Sequence, residues 1–238
     1  MNWEKFKDQF HPSWHRWMQP FIESKECDEI YKFLKFESQR GKQIAPISQN
    51  VFRCFYETPY EDVKVVMMGM CPYHSTKNGE YVADGLLMGC STTGILQPSL
   101  QKFYDGIEKE MYNGLCVTCI RDADVSFLAK QGVLMYNAAL TTEINKAGSH
   151  IQLWEPFTKY LLEEVLATKM APIIFLGKDA ARYEKHVAPF TWTFTLSHPA
   201  SASYKQSDWD TESVFTKVNR LLKDTNNEEI SWLLDEPF

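Results

Sequence analysis

The 238-residue chain contains no apolar run approaching the roughly 18 to 20 residues that span a bilayer, and Met1-Asn2-Trp3-Glu4-Lys5 has no signal-peptide apolar region. A soluble, intracellular protein is expected, cytoplasmic or nuclear, with no membrane partner. The chain also lacks an excess of basic charge. Its 25 Lys and Arg stand against 31 Asp and Glu, for a net charge of -6. That balance argues against indiscriminate binding to nucleic acid, because phosphate neutralisation by Lys and Arg supplies most non-specific affinity. Cysteine is sparse, with six in the chain, and reduced thiols are expected rather than a disulfide framework. Cys116-Val117-Thr118-Cys119 is a lone C-x-x-C. A zinc or iron-sulfur site needs a second ligand pair, so neither a metal nor any other cofactor is expected. Internal repeats and low-complexity stretches are absent as well.

What the chain does have is 44% hydrophobic residues, 14% of the chain being aromatic, enough to fill the core of a single domain over residues 1–238. Four short apolar runs read as buried strands: 63–68, 132–136, 172–176 and 191–196. Helical periodicity separates them, over 99–111 and 155–167. Strands alternating with helices predict an α/β fold, a three-layer α/β/α arrangement around a central four-stranded, mainly parallel sheet. Ligands of such sheets bind beyond the carboxyl ends of the strands. The polar stretch 75–80 and the acidic stretch 224–229 read as the mobile segments.

Each strand leads into a distinctive loop. Gly69-Met70-Cys71-Pro72-Tyr73-His74 follows the first, and Gln131 to Thr141, reading QGVLMYNAALT, contains the second. Ser149-His150 and Trp154 come next, then Ser197-His198-Pro199-Ala200-Ser201-Ala202-Ser203 after the fourth strand, Ile230-Ser231-Trp232 near the end, and Pro12-Ser13-Trp14 near the start. In order and spacing this set resembles the uracil-DNA glycosylases of the family-1 type, over nearly the whole chain.

The resemblance implies a DNA N-glycosylase, a hydrolase of base excision repair that extrudes a base from the helix, and it implies roles. His198 would donate to the pyrimidine O2, a task suited to a neutral imidazole. Asn137, carrying both a carbonyl and an NH2, would pair with O4 and N3–H of uracil. Tyr73 would crowd C5 and exclude thymine. Met70 stands at the family's Gln, His74 closes the first loop, and Met88 stands where the family stacks a Phe, its polarizable sulfur replacing part of that contact. Ser99, Gly177, Lys178, Ser201 and Ser203 fall in loops that the family turns toward DNA phosphates, with Ser99 also reading as a helix N-cap. Ala202 stands at the family's wedging Leu; because a methyl group cannot hold a duplex open, Tyr204 or a single-stranded substrate is the alternative.

Cys71 departs from the pattern most, for it occupies the place of the Asp that orients the hydrolytic water. A thiol is mostly neutral at pH 7, and losing one transition-state charge partner costs about 3 to 4 kcal/mol. Three compensations are conceivable: Asp84 reaches the water, His74 lowers the thiol pKa, or Cys71 attacks the sugar directly. Two functions stay open. One is a glycosylase of weakened or altered activity on uracil or a related pyrimidine in single- or double-stranded DNA; the other is a catalytically inactive homologue that reads uracil-DNA or serves as a protein-partner or replication accessory module. A monomer is expected in either case.

Overall fold

The computed structural model describes residues 2–114 and 119–235. The four apolar runs form one sheet from β1 (Val65–Gly69), β2 (Val133–Asn137), β3 (Ile173–Leu176) and β4 (Thr193–Leu196). The spatial order is β2-β1-β3-β4, and every neighbouring pair is parallel. All residues of β1, β2 and β3 are buried, as a parallel sheet covered on both faces requires. Only edge strand β4 is partly open.

The helices α1 (His15–Ile22), α2 (Lys25–Gln39), α3 (Pro98–Tyr112), α4 (Ile151–Tyr160), α5 (Pro199–Lys205) and α6 (Val214–Asp224) complete the three-layer α/β/α arrangement. Aromatic contacts hold each helical group. Phe21 of α1 meets Phe157 of α4 at 5.0 Å, and Phe157 reaches Phe55, which touches Tyr136 of β2. In the other group Phe103 of α3 packs on Phe215 of α6 at 5.7 Å, and Phe215 on Trp232 at 4.8 Å. No helix among the described residues is long and apolar enough to cross a membrane.

Three sequence features find a scaffolding use. The Trp14 indole donates to Thr58 O at 2.7 Å, and Ser13 Oγ accepts from Tyr60 N at 2.8 Å. Gln131 grips the C-terminal segment twice, accepting from Ser231 N at 2.8 Å and donating to Ser231 O at 3.0 Å. Such pairs satisfy buried backbone groups at a distance in sequence. Local expectations shift in places. The helix expected over 155–167 begins at Ile151, runs through Pro156 and ends in a wider π-type turn, Leu161–Val165. The stretch 75–80 is a small hairpin pairing Thr76–Lys77 with Glu80–Tyr81, turned by Asn78 and Gly79 at positive φ. Cys27, Cys54, Cys71 and Cys90 are free thiols. Cys119 is disulfide-bonded, which corrects the expectation of reduced thiols throughout, and Cys116 lies outside the described residues.

Candidate active site

Parallel pairing places the carboxyl ends of all four strands at one edge, and backbone bonds tie the loops there together. Ala138 N donates to Gly69 O and Ala139 N to Met70 O, both at 2.9 Å, while Gly177 N donates to Leu196 O at 2.8 Å. Register sets Gly69 beside Asn137. A Cβ at Gly69 would lie 3.0 Å from Asn137 Oδ1 and collide with Leu87, so only glycine leaves space for the amide. Asn137 is 3% exposed, and its Oδ1 is buried with no hydrogen-bond partner. A buried unpaired carbonyl costs free energy. A ligand N–H would remove that cost.

His198 caps α5, its Nδ1 accepting from Ala200 N at 3.1 Å. With Nδ1 used as acceptor, the proton of the neutral ring sits on Nε2, which is left as a donor. Burial pushes the His198 pKa down to about 4, so the imidazole is neutral at pH 7. Neutrality dominates in the fold while the unfolded chain titrates near 6.5. The stabilisation is therefore full above pH 6.5 and is lost as pH falls to about 4. Thermal unfolding from pH 7 to 4 should show the stability gap between wild type and His198→Gln narrowing; a gap that widens on acidification would refute this assignment.

Tyr73 is aimed by a 2.6 Å hydrogen bond between its hydroxyl and Ser99 Oγ, and burial raises its pKa. Cys71 Sγ accepts from Gly148 N at 3.2 Å. Burial also pushes the Cys71 thiol up, so the side chain at this place is neutral. That corrects the idea that His74 makes it a thiolate. It also removes the basis for direct attack, which needs the anion. His74 itself holds its loop through a bond from Asn145 N to His74 O at 2.7 Å, while its Nδ1 is buried without a partner.

Residues 55–223 match the Uracil DNA glycosylase superfamily. The chain is 34% identical over 238 residues to a uracil-DNA glycosylase of Acinetobacter baumannii, covering 96% of this chain and 94% of the relative. Another, from Streptococcus pneumoniae, is 32% identical over 226 residues, with 94% and 99% covered. The crystal structure of mimivirus uracil-DNA glycosylase superposes with a TM-score of 0.81 at 24% identity, over 97% of this chain and 92% of that one. This chain belongs to the uracil DNA glycosylase superfamily. It is thereby placed among DNA N-glycosylases, a class of hydrolases.

Within that superfamily frame, several residues do work that differs from the sequence expectation. Asp84 does not reach for water. It is 1% exposed, and its two oxygens accept from Leu86 N, Ser91 N and Ser91 Oγ at 2.6 to 3.0 Å and pair with Arg53 Nη1 at 2.9 Å. Arg53 in turn pairs with Glu57 and Asp124, both at 3.2 Å. Asp84 is thus the anchor of its own loop, and a Cβ at Gly89 would collide with its carboxylate. Arg53 and Ser91 escaped the sequence reading because their partners lie 31 and 7 residues from them.

Ser99 is not the N-cap of α3, a position held by Gln97; it is buried, and its hydroxyl orients Tyr73. Ala202 is 4% exposed, packed inward from α5, so it cannot enter a duplex. Tyr204, two residues on, is 86% exposed. Ser201 Oγ donates to His198 O at 2.7 Å, which firms the turn behind the imidazole. Ser203 is half-buried and Lys178 exposed at the same edge, with Gly177 at φ +88° just before Lys178. Met88 is buried in the core at φ +59°, and Leu87 is the neighbour that would meet a Cβ at Gly69, beside Asn137. Met70, half-buried, sends its Cε to within 3.6 Å of the place a Cβ on Gly148 would take.

The remaining motif residues brace the loop that follows β2. Trp154 Nε1 donates to Thr141 Oγ1 at 2.7 Å, and Thr141 Oγ1 lies 2.9 Å from His150 Nδ1. All three are buried. They hold the chain four residues beyond Asn137.

Proposed function

We propose that the chain, folded as a single domain over residues 1–238 and acting as a monomer, excises uracil from DNA by hydrolysing the N-glycosidic bond, at a rate lowered by the neutral side chain at Cys71. The observation that carries this reading is Asn137, whose buried, unpartnered Oδ1 suits the N3–H of an extruded uracil. Its NH2 group faces the role of donor to O4. Nε2–H of His198 donates to O2 as negative charge builds on the leaving base, without transferring its proton. Tyr73, held by Ser99, fills the space beside C5. Removing the base from the stack costs a few kcal/mol, least in single strands.

Incubating excess protein with uracil-containing single- and double-stranded oligonucleotides, then cleaving abasic sites chemically, should give strand breaks. Asn137→Asp replaces an NH2 donor with an acceptor, so uracil excision should fall and cytosine tolerance rise. Unchanged preference would remove Asn137 from base reading. A second reading rests on Cys71: with no anion facing the sugar, the protein binds uracil-DNA and leaves it intact. Retention of uracil oligonucleotides without strand breaks would favour that reader over the enzyme.

Tyr204, exposed two residues beyond the buried Ala202, would be the side chain that holds an opened duplex. Tyr204→Ala should weaken action on double strands about tenfold or more while leaving single strands nearly unchanged, since unstacking is paid only in the duplex. Both substrates must be compared at one salt concentration. Equal losses on the two forms would assign Tyr204 a different contact. Ala202→Leu, by contrast, overpacks a buried site and should cost about 1 to 3 kcal/mol of stability.

A further inference from the structure

A concavity in the fold is lined by none of Asn137, Tyr73, Cys71 and His198. It is bounded by the N-terminal segment, α2 and residues 44–52, with a volume of about 590 Å³ and walls that include Phe6, Ile30, Leu34, Ile44, Val51 and Phe52. That size falls in the range of sites that enclose a ligand. Two further observations say what it would enclose. Gln9 Oε1 lies among the lining groups, buried and without a hydrogen-bond partner, so a donor from an occupant is wanted there. The charged lining residues are Lys35 and Lys42, with no carboxylate among the lining, in a chain whose acidic residues outnumber its basic ones by 31 to 25. Lys42 is paired with Glu143 at 2.7 Å, whereas Lys35 has no ion pair among the described residues. Two of the lining residues open onto the surface at the rim: Tyr31 and Ile47 are each 45% exposed. An apolar cavity with exposed aromatic and aliphatic side chains at its rim and an unpaired cation beside them suits a chain segment that spans rim and interior and carries an acid.

We propose that this cavity docks a short apolar peptide segment of another protein that carries an acidic residue. Two or three large side chains fill the cavity, a backbone N–H meets Gln9 Oε1, and the carboxylate lies against Lys35. The cavity shares Thr141 and Trp154 with the brace behind Asn137, but none of Asn137, Tyr73, Cys71 and His198 lines it, so peptide binding is read separately from the glycosylase reading.

The test is a phage-displayed library of random dodecapeptides, selected on the full chain and counter-selected on Leu34→Asp, with Ile47→Asp as a second, more exposed disruption should the first fail to fold. Enriched peptides should combine at least two large apolar residues with an Asp or Glu. A synthetic copy of the best one should lose about tenfold or more in affinity on Leu34→Asp or Ile47→Asp, and about fivefold on Lys35→Glu. Its binding should weaken as salt rises. Enrichment that survives both apolar disruptions, enrichment of basic or wholly polar peptides, or no enrichment at all would each overturn the proposal. So would saturable binding of decanoate with no peptide selected, which would mark the cavity as a small-amphiphile site.

Discussion

Cys71→Asp should raise uracil excision about 10²-fold or more. The substitution restores an anion opposite the cationic sugar of the transition state, a contribution of about 3 kcal/mol where such charges are pre-positioned. The position is already built to hold a carboxylate, because Gly148 N–H points at the side-chain atom of residue 71 and would donate to an oxygen as it now does to sulfur. Single-turnover excision on a uracil-containing single strand measures the gain free of duplex opening. A folded variant with no gain would mean that charge is not the missing element, and attention would pass to the apolar side chains of Met70, near Gly148, and of Leu87, near Gly69 and Asn137.

The second large effect is on stability. Arg53→Met should lower it by about 3 to 5 kcal/mol, because it strips the counter-charge from Asp84, a nearly fully buried carboxylate, and from two further acids at once. Desolvation and the neighbouring carboxylates act on this guanidinium together, with Asp84 first among the charges that favour its cationic form. In a chain of this length the melting temperature should drop by roughly 10 °C. A drop of a degree or two would show that Ser91 and the backbone of Leu86 suffice for Asp84. If Asp84 held water instead, excision would fail while the melting temperature held.

The sheet was legible because its strands are continuous apolar runs, which a parallel sheet buried on both faces demands, and the motifs stand at their carboxyl ends. Residues 132–136 and 172–176 lie within a residue of the strands they foretold. The helices were less so. Helix α2 carries Tyr31, Phe33 and Phe36 on exposed positions, which blurs the apolar stripe that marks a helix. Helix α5 hides inside the His198 loop, since a Pro-Ala-Ser-Ala-Ser run has no apolar period to detect. At the site, residue type told what Asn137 and His198 are able to do, whereas burial and partners were needed for Asp84, Ser99 and Ala202. An exposed acid, a helix cap and a wedge are indistinguishable in sequence from an anchored acid, a tyrosine rest and a packed methyl.

The Trp154 contact with Thr141 has a direction as well as a geometry. An indole N–H can only donate, so the Thr141 oxygen accepts from Trp154, and a lone pair and the hydroxyl hydrogen both remain for His150 Nδ1, 2.9 Å away. Burial lowers the His150 pKa and so favours the neutral ring, either tautomer of which keeps the bond to Thr141. One hydroxyl thus ties the loop after Asn137 to α4 at two points, Trp154 within the helix and His150 at its start.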